Sequence, residues 1–189
     1  MKITKAWLEK REACPKGIEW FENQKEREAI KVVKALIKEN RLNWALWLLP
    51  RTMKYKQSVR LAIFSAEQCL PMWEKFDKED TRVKEAIEAA KKCLKNPTKA
   101  NKEAAESAWS AAMSAAESVE PAAWSARSAA WSAAESAWSA VRSAVRSAES
   151  AMSAVAWSAW SAAESVESAR SATLTKILEF GIKIVEANL

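Results

Sequence analysis

The chain has 189 residues, of which 49% are hydrophobic, and its 30 Lys and Arg against 24 Asp and Glu give a net charge of +6. This length and apolar content are enough to bury a core. Two Gly and five Pro supply few of the residues that hairpin turns need, so the composition predicts an all-α protein. Histidine is absent, which removes the usual general base, the imidazole of a catalytic triad and the commonest zinc ligand. We therefore expect a protein that is not an enzyme and that holds neither a cofactor nor a metal.

Cysteine usage and the start of the chain bear on its location. Cys14, Cys69 and Cys93 are odd in number and form no C-x-x-C pair, which predicts neither a disulfide framework nor a zinc site. No run of about 18 uncharged apolar residues occurs, and residues 1–10 carry charges where a signal peptide needs its apolar segment. We expect a soluble, cytoplasmic protein that does not enter a membrane.

The first 100 residues are predicted to form short helices separated by proline or polar breaks, as a basic multi-helix subdomain. Apolar side chains recur there at steps of three and four, which is the spacing of a helix face that packs on a core. In chain order, the predicted boundaries are a helix start near Thr4, a stop near Cys14, another before Asn40, a stop at Pro50, a kink or restart at Pro71, an N-cap at Asp80 and a stop at Asn96. Residues 1–100 hold 23 Lys and Arg against 14 Asp and Glu, or +9, so their charge favours a negatively charged partner.

A repeat occupies about residues 104–172, in which a large residue is followed by Ser and then by Ala or Val. From Ser107 to Ser171, 64 residues cover 18 steps when one turn without Ser is allowed at Pro121, or about 3.56 residues per step, close to the α-helical period. This predicts long Ala/Ser/Trp-rich helices that pack through their small residues, with breaks at Pro121 and near residues 154–156. Residues 174–185 are predicted to form a closing amphipathic helix. Residues 101–189 then pack with the first subdomain as one compact unit, a helical bundle or a short helical solenoid.

Four sequence blocks resemble a known family. They are ACPKGIEWF at residues 13–21, NWALWLL at 43–49, AEQCLPMWE at 66–74 and DTRVKEAIEAAK at 80–91, and the alanine-rich tract follows them. This order of blocks is similar to that of the immunity proteins of bacterial polymorphic toxin systems and their phage-borne relatives. The resemblance implies a non-enzymatic, all-helical protein that inhibits a toxin or a defence protein by occupying it.

The repeat tract offers a candidate partner surface. Three of its tryptophans are seven residues apart with arginines nearby, and Trp and Arg dominate the energetics of protein interfaces. The predicted partner-binding residues are Trp124, Arg127, Trp131, Trp138, Arg142 and Arg146. Packing of these side chains against the first subdomain, or self-association as a homo-oligomeric structural protein, remains an alternative.

A second alternative is binding of nucleic acid by an accessory protein. Basic residues that flank an aromatic one can neutralise phosphates while the ring stacks on a base. Such a cluster is formed in the sequence by Arg51, Lys54, Tyr55, Lys56 and Arg60. The remaining chemistry-bearing residues are carboxylates, chiefly Asp77, Asp80, Glu67 with Glu74 and Glu85 with Glu88, for which we expect a structural role in the absence of His, a Gly-rich loop or a metal-spaced cluster.

Overall fold

The structure, a computed structural model, describes residues 1–117 and 170–188. These residues form eight α-helices, and the prediction of an all-α helical bundle is confirmed. The helices are α1 (Lys5–Glu9), α2 (Pro15–Glu22), α3 (Ala29–Lys38), α4 (Leu42–Arg51), α5 (Tyr55–Phe76), α6 (Arg82–Lys95), α7 (Lys99–Glu117) and α8 (Arg170–Glu186). Extended pairing within the described residues is limited to one isolated antiparallel bridge between Lys2 and Glu28.

The first two helices form an arm, residues 1–27, that is joined to the body of the bundle along its edge. Thr4 caps α1 as predicted, because its Oγ1 accepts a hydrogen bond from the backbone N–H of Trp7 at 3.2 Å. The predicted single helix is interrupted after Glu9 by a turn in which Glu12 has a φ of 56°. Backbone hydrogen bonds from Ile3 to Arg27 and from Ala29 to Met1 hold the start of the chain beside the start of α3.

The central pair of helices is α6 and α7, which pack against each other. The α6 face that packs is made of residues at steps of three and four, namely Val83, Ala86, Ile87, Ala90 and Cys93, all of them buried. The helix ends at Lys95, as Asn96 and Pro97 predicted. In α7, which includes the beginning of the repeat tract, Ala105 and Ala112 are buried whereas Ser107 and Ser110 are exposed, so small residues face the neighbour there. The predicted breaks at Pro121 and near residues 154–156 lie outside the described residues.

Helix α8 returns to the first half of the chain and packs against α4 and α5, as a closing helix should. Its buried face consists of Leu174, Ile177, Leu178 and Ile182. The amide Nε2 of buried Gln57 on α5 donates to the carbonyl of Ile184 at 3.3 Å, and a Lys34–Glu186 ion pair of 2.6 Å joins α8 to α3. Segments that are more than a hundred residues apart in sequence therefore share one core.

Two predicted proline boundaries differ from the structure. Helix α4 continues past Pro50 to Arg51, and α5 runs through Pro71 as one helix to Phe76. Both prolines lie in the C-terminal part of their helices, where the loss of one backbone hydrogen bond is offset by nearby burial, since Leu49 and Trp73 are fully buried. No helix within residues 1–117 and 170–188 combines the length and apolar character that crossing a membrane requires.

Candidate partner-binding site

A cavity of about 270 Å³ lies between the arm and helices α3 and α4. Its walls are mainly aromatic and aliphatic, and its polar lining residues are Glu12, Cys14 and Asn43. The apolar lining comes from Leu8, Trp20 and Phe21 of the arm, Val32 and Leu36 of α3, and Trp44, Trp47 and Leu48 of α4. Because Trp20, Trp44 and Trp47 are only half-buried, the three indoles remain partly accessible to solvent.

Local sequence explains how the tryptophans reach this position. Trp44 and Trp47 are three residues apart on α4 and so share a helix face, whereas Ala45, Leu46 and Leu49 occupy the opposite, buried face. On the arm, Pro15 starts α2 at a position where a missing N–H costs nothing. Small residues then leave room beside the indoles, because a Cβ added at Gly17 would lie 3.2 Å from the Cys14 Sγ.

One wall of the cavity is a closed network of aromatic and charged groups. The Trp20 and Trp44 rings meet edge to face with centroids 6.4 Å apart, and the Arg41 guanidinium lies 4.6 Å from the Trp44 centroid. Glu39 Oε2 accepts hydrogen bonds from Trp20 Nε1 at 2.7 Å and from Arg41 Nε at 2.9 Å. These bonds, with Arg41 the larger cause, hold the pKa of Glu39 below its ordinary value. The charge of Arg41 is therefore compensated.

The opposite situation holds for Arg11 and Arg51. The Arg51 guanidinium lies 4.1 Å from the centroid of Trp47, and the Arg11 guanidinium lies 4.0 Å from that of Trp7. Among the described residues no carboxylate lies within the 4.0 Å ion-pair distance of either group, although Arg51 Nη1 donates to the Trp47 carbonyl at 2.6 Å. Burial, and then the positive charge of Arg11, lower the pKa of Arg51 from its ordinary value. Within the described residues, these two cations thus have no carboxylate at ion-pair distance.

The residues predicted to bind nucleic acid are distributed over different surfaces. Lys56 and Arg60 line a groove of about 420 Å³ between α5, α6 and α8, together with Lys91 and Lys95. Phe64 and Phe180 stack at the same groove with centroids 3.9 Å apart. Of the other three predicted residues, Arg51 lies on Trp47, Lys54 donates to Asn188 at 2.7 Å, and the Tyr55 side chain is outside the described set.

The candidate acidic residues are engaged with neighbours on the bundle. Glu67 and Glu88 both bind Lys91, at 2.8 and 2.7 Å, and together they raise the pKa of that lysine. Glu85 accepts from the Thr81 hydroxyl at 2.7 Å, and an Asp77 oxygen accepts the backbone N–H groups of Glu79 and Asp80 at 3.0 Å. Glu74 is exposed. In the described part of the chain, no three or more Cys, Asp or Glu residues gather where they could hold a metal ion.

Comparison with known proteins places the chain in a family. The sequence pattern of a family of unknown function, DUF6931, matches residues 32–185, which is most of the chain. The protein belongs to DUF6931. No curated protein and no solved structure matches it.

The DUF6931 match begins within α3, so the cavity lies at the junction between the matched region and the arm that precedes it. Two of the sequence blocks quoted above, residues 13–21 and 43–49, line this cavity from its two sides. The apolar composition of the second block predicts core residues, and only the Trp content that the two blocks share indicates that they pair. The partner-binding residues predicted from the repeat tract lie outside the described residues of this DUF6931 protein; they are Trp124, Arg127, Trp131, Trp138, Arg142 and Arg146.

Proposed function

We propose that the protein is a cytoplasmic, non-enzymatic interaction factor that binds a protein partner, in the manner of an immunity protein that occupies a toxin or a defence protein. The observation that supports this proposal best is the cavity with its three half-buried tryptophans and the uncompensated Arg11 and Arg51 beside it. Trp and Arg are the residue types that carry most binding energy at protein interfaces. This combination suits the capture of another protein.

The size of the cavity favours a side chain over a cofactor as its occupant. At about 270 Å³ it is smaller than the roughly 300–1,000 Å³ of sites that enclose a drug-sized ligand. One large side chain of a partner fits this space, and the half-buried indoles around it then become fully desolvated, as anchors at an interface do. The net charge of +9 on residues 1–100 would orient the partner and raise the association rate.

The test is reconstitution with an identified partner. The tagged protein is used to capture partners from its source cell, and a partner that co-purifies in stoichiometric amount is produced recombinantly. We expect Trp44→Ala and Trp47→Ala each to weaken binding by at least about tenfold in calorimetry, which is typical of an interface anchor. The matched control is Phe180→Leu, a half-buried aromatic residue at the other groove, which should bind like wild type.

Four measurements decide between the proposals. Growth arrest by the partner alone, with rescue by co-expression of the protein, supports the immunity role. Folded Trp44 and Trp47 variants that bind with unchanged affinity contradict a role for the cavity. A parallel variant, Trp131→Ala with Trp138→Ala, tests the second proposed surface: loss of capture with unchanged helicity supports it, and unchanged capture removes it. A measured mass above that of one chain without any partner would instead favour the homo-oligomeric alternative.

Nucleic-acid binding is the second candidate, favoured by the groove that Lys56, Arg60 and Lys95 line, in which Lys91 is paired with Glu67. We expect Lys56→Ala with Arg60→Ala to weaken DNA binding and to reduce the slope of log affinity against log salt by about two, because each lost phosphate contact contributes about 0.9. The control, Lys25→Ala with Lys38→Ala, removes two exposed charges elsewhere and should leave the slope nearly unchanged. Absence of binding by the wild-type protein at low salt would remove this candidate.

A further inference from the structure

Charged groups around the cavity differ in how they are paired, and one of them, the Glu12 carboxylate, belongs to its lining. On one side, Arg41 and Glu39 form a direct ion pair, and Trp20 Nε1 donates to the same Glu39 oxygen. On the other, Arg51 covers Trp47 and feels the positive charge of Arg11, with no carboxylate at ion-pair distance in the described residues. The arginines that lie on Trp44 and Trp47 therefore differ in their pairing, although the cavity walls are mainly apolar.

This asymmetry selects among the possible occupants. A cationic side chain would find the indole of Trp44 already covered by Arg41 and that of Trp47 by Arg51, so it would meet like charges where an aromatic cage offers bare rings. A purely apolar side chain would fill the cavity but bring no carboxylate to Arg11 and Arg51, which have none at ion-pair distance in the described residues. A carboxylate placed next to an apolar side chain would relieve the repulsion between Arg11 and Arg51, and a guanidinium can bind it with two parallel hydrogen bonds.

We propose that the partner anchors itself with a protein segment in which a large apolar side chain enters the cavity and a neighbouring Asp or Glu binds Arg51 and Arg11. This inference rests on the proposed function, and it adds the chemistry of the recognised segment. The segment is acidic as well as apolar, in agreement with the basic charge of residues 1–100. Arg51 acts as the specificity-determining residue, because it contacts both the cavity wall, through Trp47, and the bound carboxylate.

The inference is tested with four N-acetylated, C-amidated tetrapeptides and the full-length protein, by titration followed in NMR spectra. Three peptides of the form Gly-Trp-X-Gly carry Asp, Asn or Lys at X, and the fourth is Gly-Ala-Asp-Gly. We expect the Asp peptide to bind about fivefold more tightly than its Asn isostere, the Lys peptide to bind more weakly than both, and the peptide without Trp not to bind measurably.

Variants of the protein connect this preference to the two arginines. Arg51→Gln should abolish the preference for Asp over Asn while the Asn peptide binds as it does to wild type. Arg11→Gln should reduce the preference for the Asp peptide over the Asn peptide. This variant tests the same preference independently if Arg51→Gln alters the structure of α4. Arg60→Gln is the matched control, since it removes the same charge at the other groove, and it should preserve the fivefold difference.

Occupation of the cavity is tested separately through Cys14, which is exposed and lines it. N-ethylmaleimide on Cys14 should weaken binding of every Trp peptide, whereas Cys14→Ser protein treated in the same way should bind like the untreated variant. Equal affinity for the Asp and Asn peptides, or tighter binding of the Lys peptide, overturns this inference and leaves the protein-binding proposal intact. If no Trp peptide binds and alkylation of Cys14 also leaves capture of the identified partner unchanged, both fail.

Discussion

Asp80 joins two helices through three of its groups. Its Oδ1 accepts the backbone N–H of Arg82, the first residue of α6, at 3.0 Å, and its Oδ2 binds Arg82 Nη2 at 2.7 Å. Its backbone carbonyl accepts the indole N–H of Trp73 at 3.1 Å, so the start of α6 is also fixed to the end of α5. The Trp73 side chain is almost fully buried, and this bond satisfies the polar atom that its burial would otherwise leave unpaired.

Substitutions of Asp80 should separate the contribution of its hydrogen bond to the Arg82 N–H from the contribution of its negative charge. We expect Asp80→Ala to lower the free energy of unfolding by about 1 kcal/mol, since it removes the acceptor for the first N–H of α6. Asp80→Asn should cost less, because the amide keeps an acceptor at Oδ1. Urea unfolding at pH 7 measures both, with Glu79→Ala at the neighbouring exposed residue as a control near zero. If the Ala and Asn variants lose the same free energy of unfolding, the hydrogen bond that Oδ1 accepts from the Arg82 N–H contributes nothing.

The charge of Asp80 should appear in the pH dependence of stability. The hydrogen bond from Arg82 is the largest cause that lowers the pKa of Asp80. A carboxyl group with a lower pKa in the folded state stabilises the fold above its unfolded pKa of about 3.9, and that stabilisation is lost as the pH falls through the folded value. The difference in unfolding free energy between wild type and Asp80→Asn should therefore shrink from pH 7 to pH 3 in urea titrations. A difference that stays constant over this range would contradict the assignment.

Residue-level features were predictable where they depend on neighbours in sequence. Thr4 as the start of α1 follows from local hydrogen-bonding chemistry. The N-cap predicted at Asp80 is wrong by one residue, because Thr81 occupies the N-cap position and Asp80 accepts the N–H of Arg82 from the position before it. The exposed faces of Trp44 and Trp47 were not predictable, because their block is apolar throughout. Which side of α4 stays accessible depends on where the arm lies across it, and that is a tertiary property.

The two glycines of the chain show that helix packing decides whether a position requires a residue without a side chain. Both are inside helices with ordinary negative φ, so neither is required for its backbone conformation. A Cβ at Gly181 would lie 2.7 Å from Leu49 Cδ2 and 2.9 Å from Met53 Cε, closer than atoms can approach. At Gly17 the nearest atom would be the Cys14 Sγ at 3.2 Å, and Cys14 is exposed and free to shift. Helix α8 thus needs glycine at its crossing, and α2 does not.

The same substitution should consequently have opposite effects at the two positions. Gly181→Ala should lower the free energy of unfolding by about 1–3 kcal/mol, because overpacking against α4 outweighs the gain of about 1 kcal/mol in helix propensity. Gly17→Ala should raise it by a few tenths up to about 1 kcal/mol. Thermal and urea unfolding of the two variants give the comparison directly, and changes of the same sign would disprove the packing argument.

Element boundaries followed the sequence at Asn40 and Asn96, where polar residues interrupt an apolar period. They departed from it at Pro50 and Pro71, where the local preference of proline predicts an end and the helix continues. The energy that decides this is the burial of Leu49 and Trp73 beside the prolines, which a sequence window does not contain. Periodicity therefore identifies helices better than it identifies how far they extend.

At the scale of the whole molecule, the bundle is closed by contacts between the first half of the chain and its last helix. These contacts join the two predicted subdomains, which meet at residue 100, since α8 packs on α4 and α5 and binds α3 through the Lys34–Glu186 pair. Composition and period were sufficient to predict an all-α bundle. Which helices are neighbours was not predictable, because alanine and leucine faces are chemically equivalent and only their shapes select a partner.

Two truncations should reveal the unequal contributions of the ends. A chain of residues 1–169 lacks α8 and exposes Leu49 and Leu61, which contact Gly181, so we expect it to lose cooperative unfolding in urea. A chain of residues 28–189 lacks only the arm, which buries few core residues, chiefly Ile3, Leu8 and Phe21, and it retains the whole region matched by DUF6931. This second chain should keep its helicity and unfold cooperatively with reduced stability, yet bind none of the Trp peptides because half of the cavity wall is gone. Cooperative unfolding of residues 1–169, or peptide binding by residues 28–189, would show that the arm and α8 have been assigned the wrong roles.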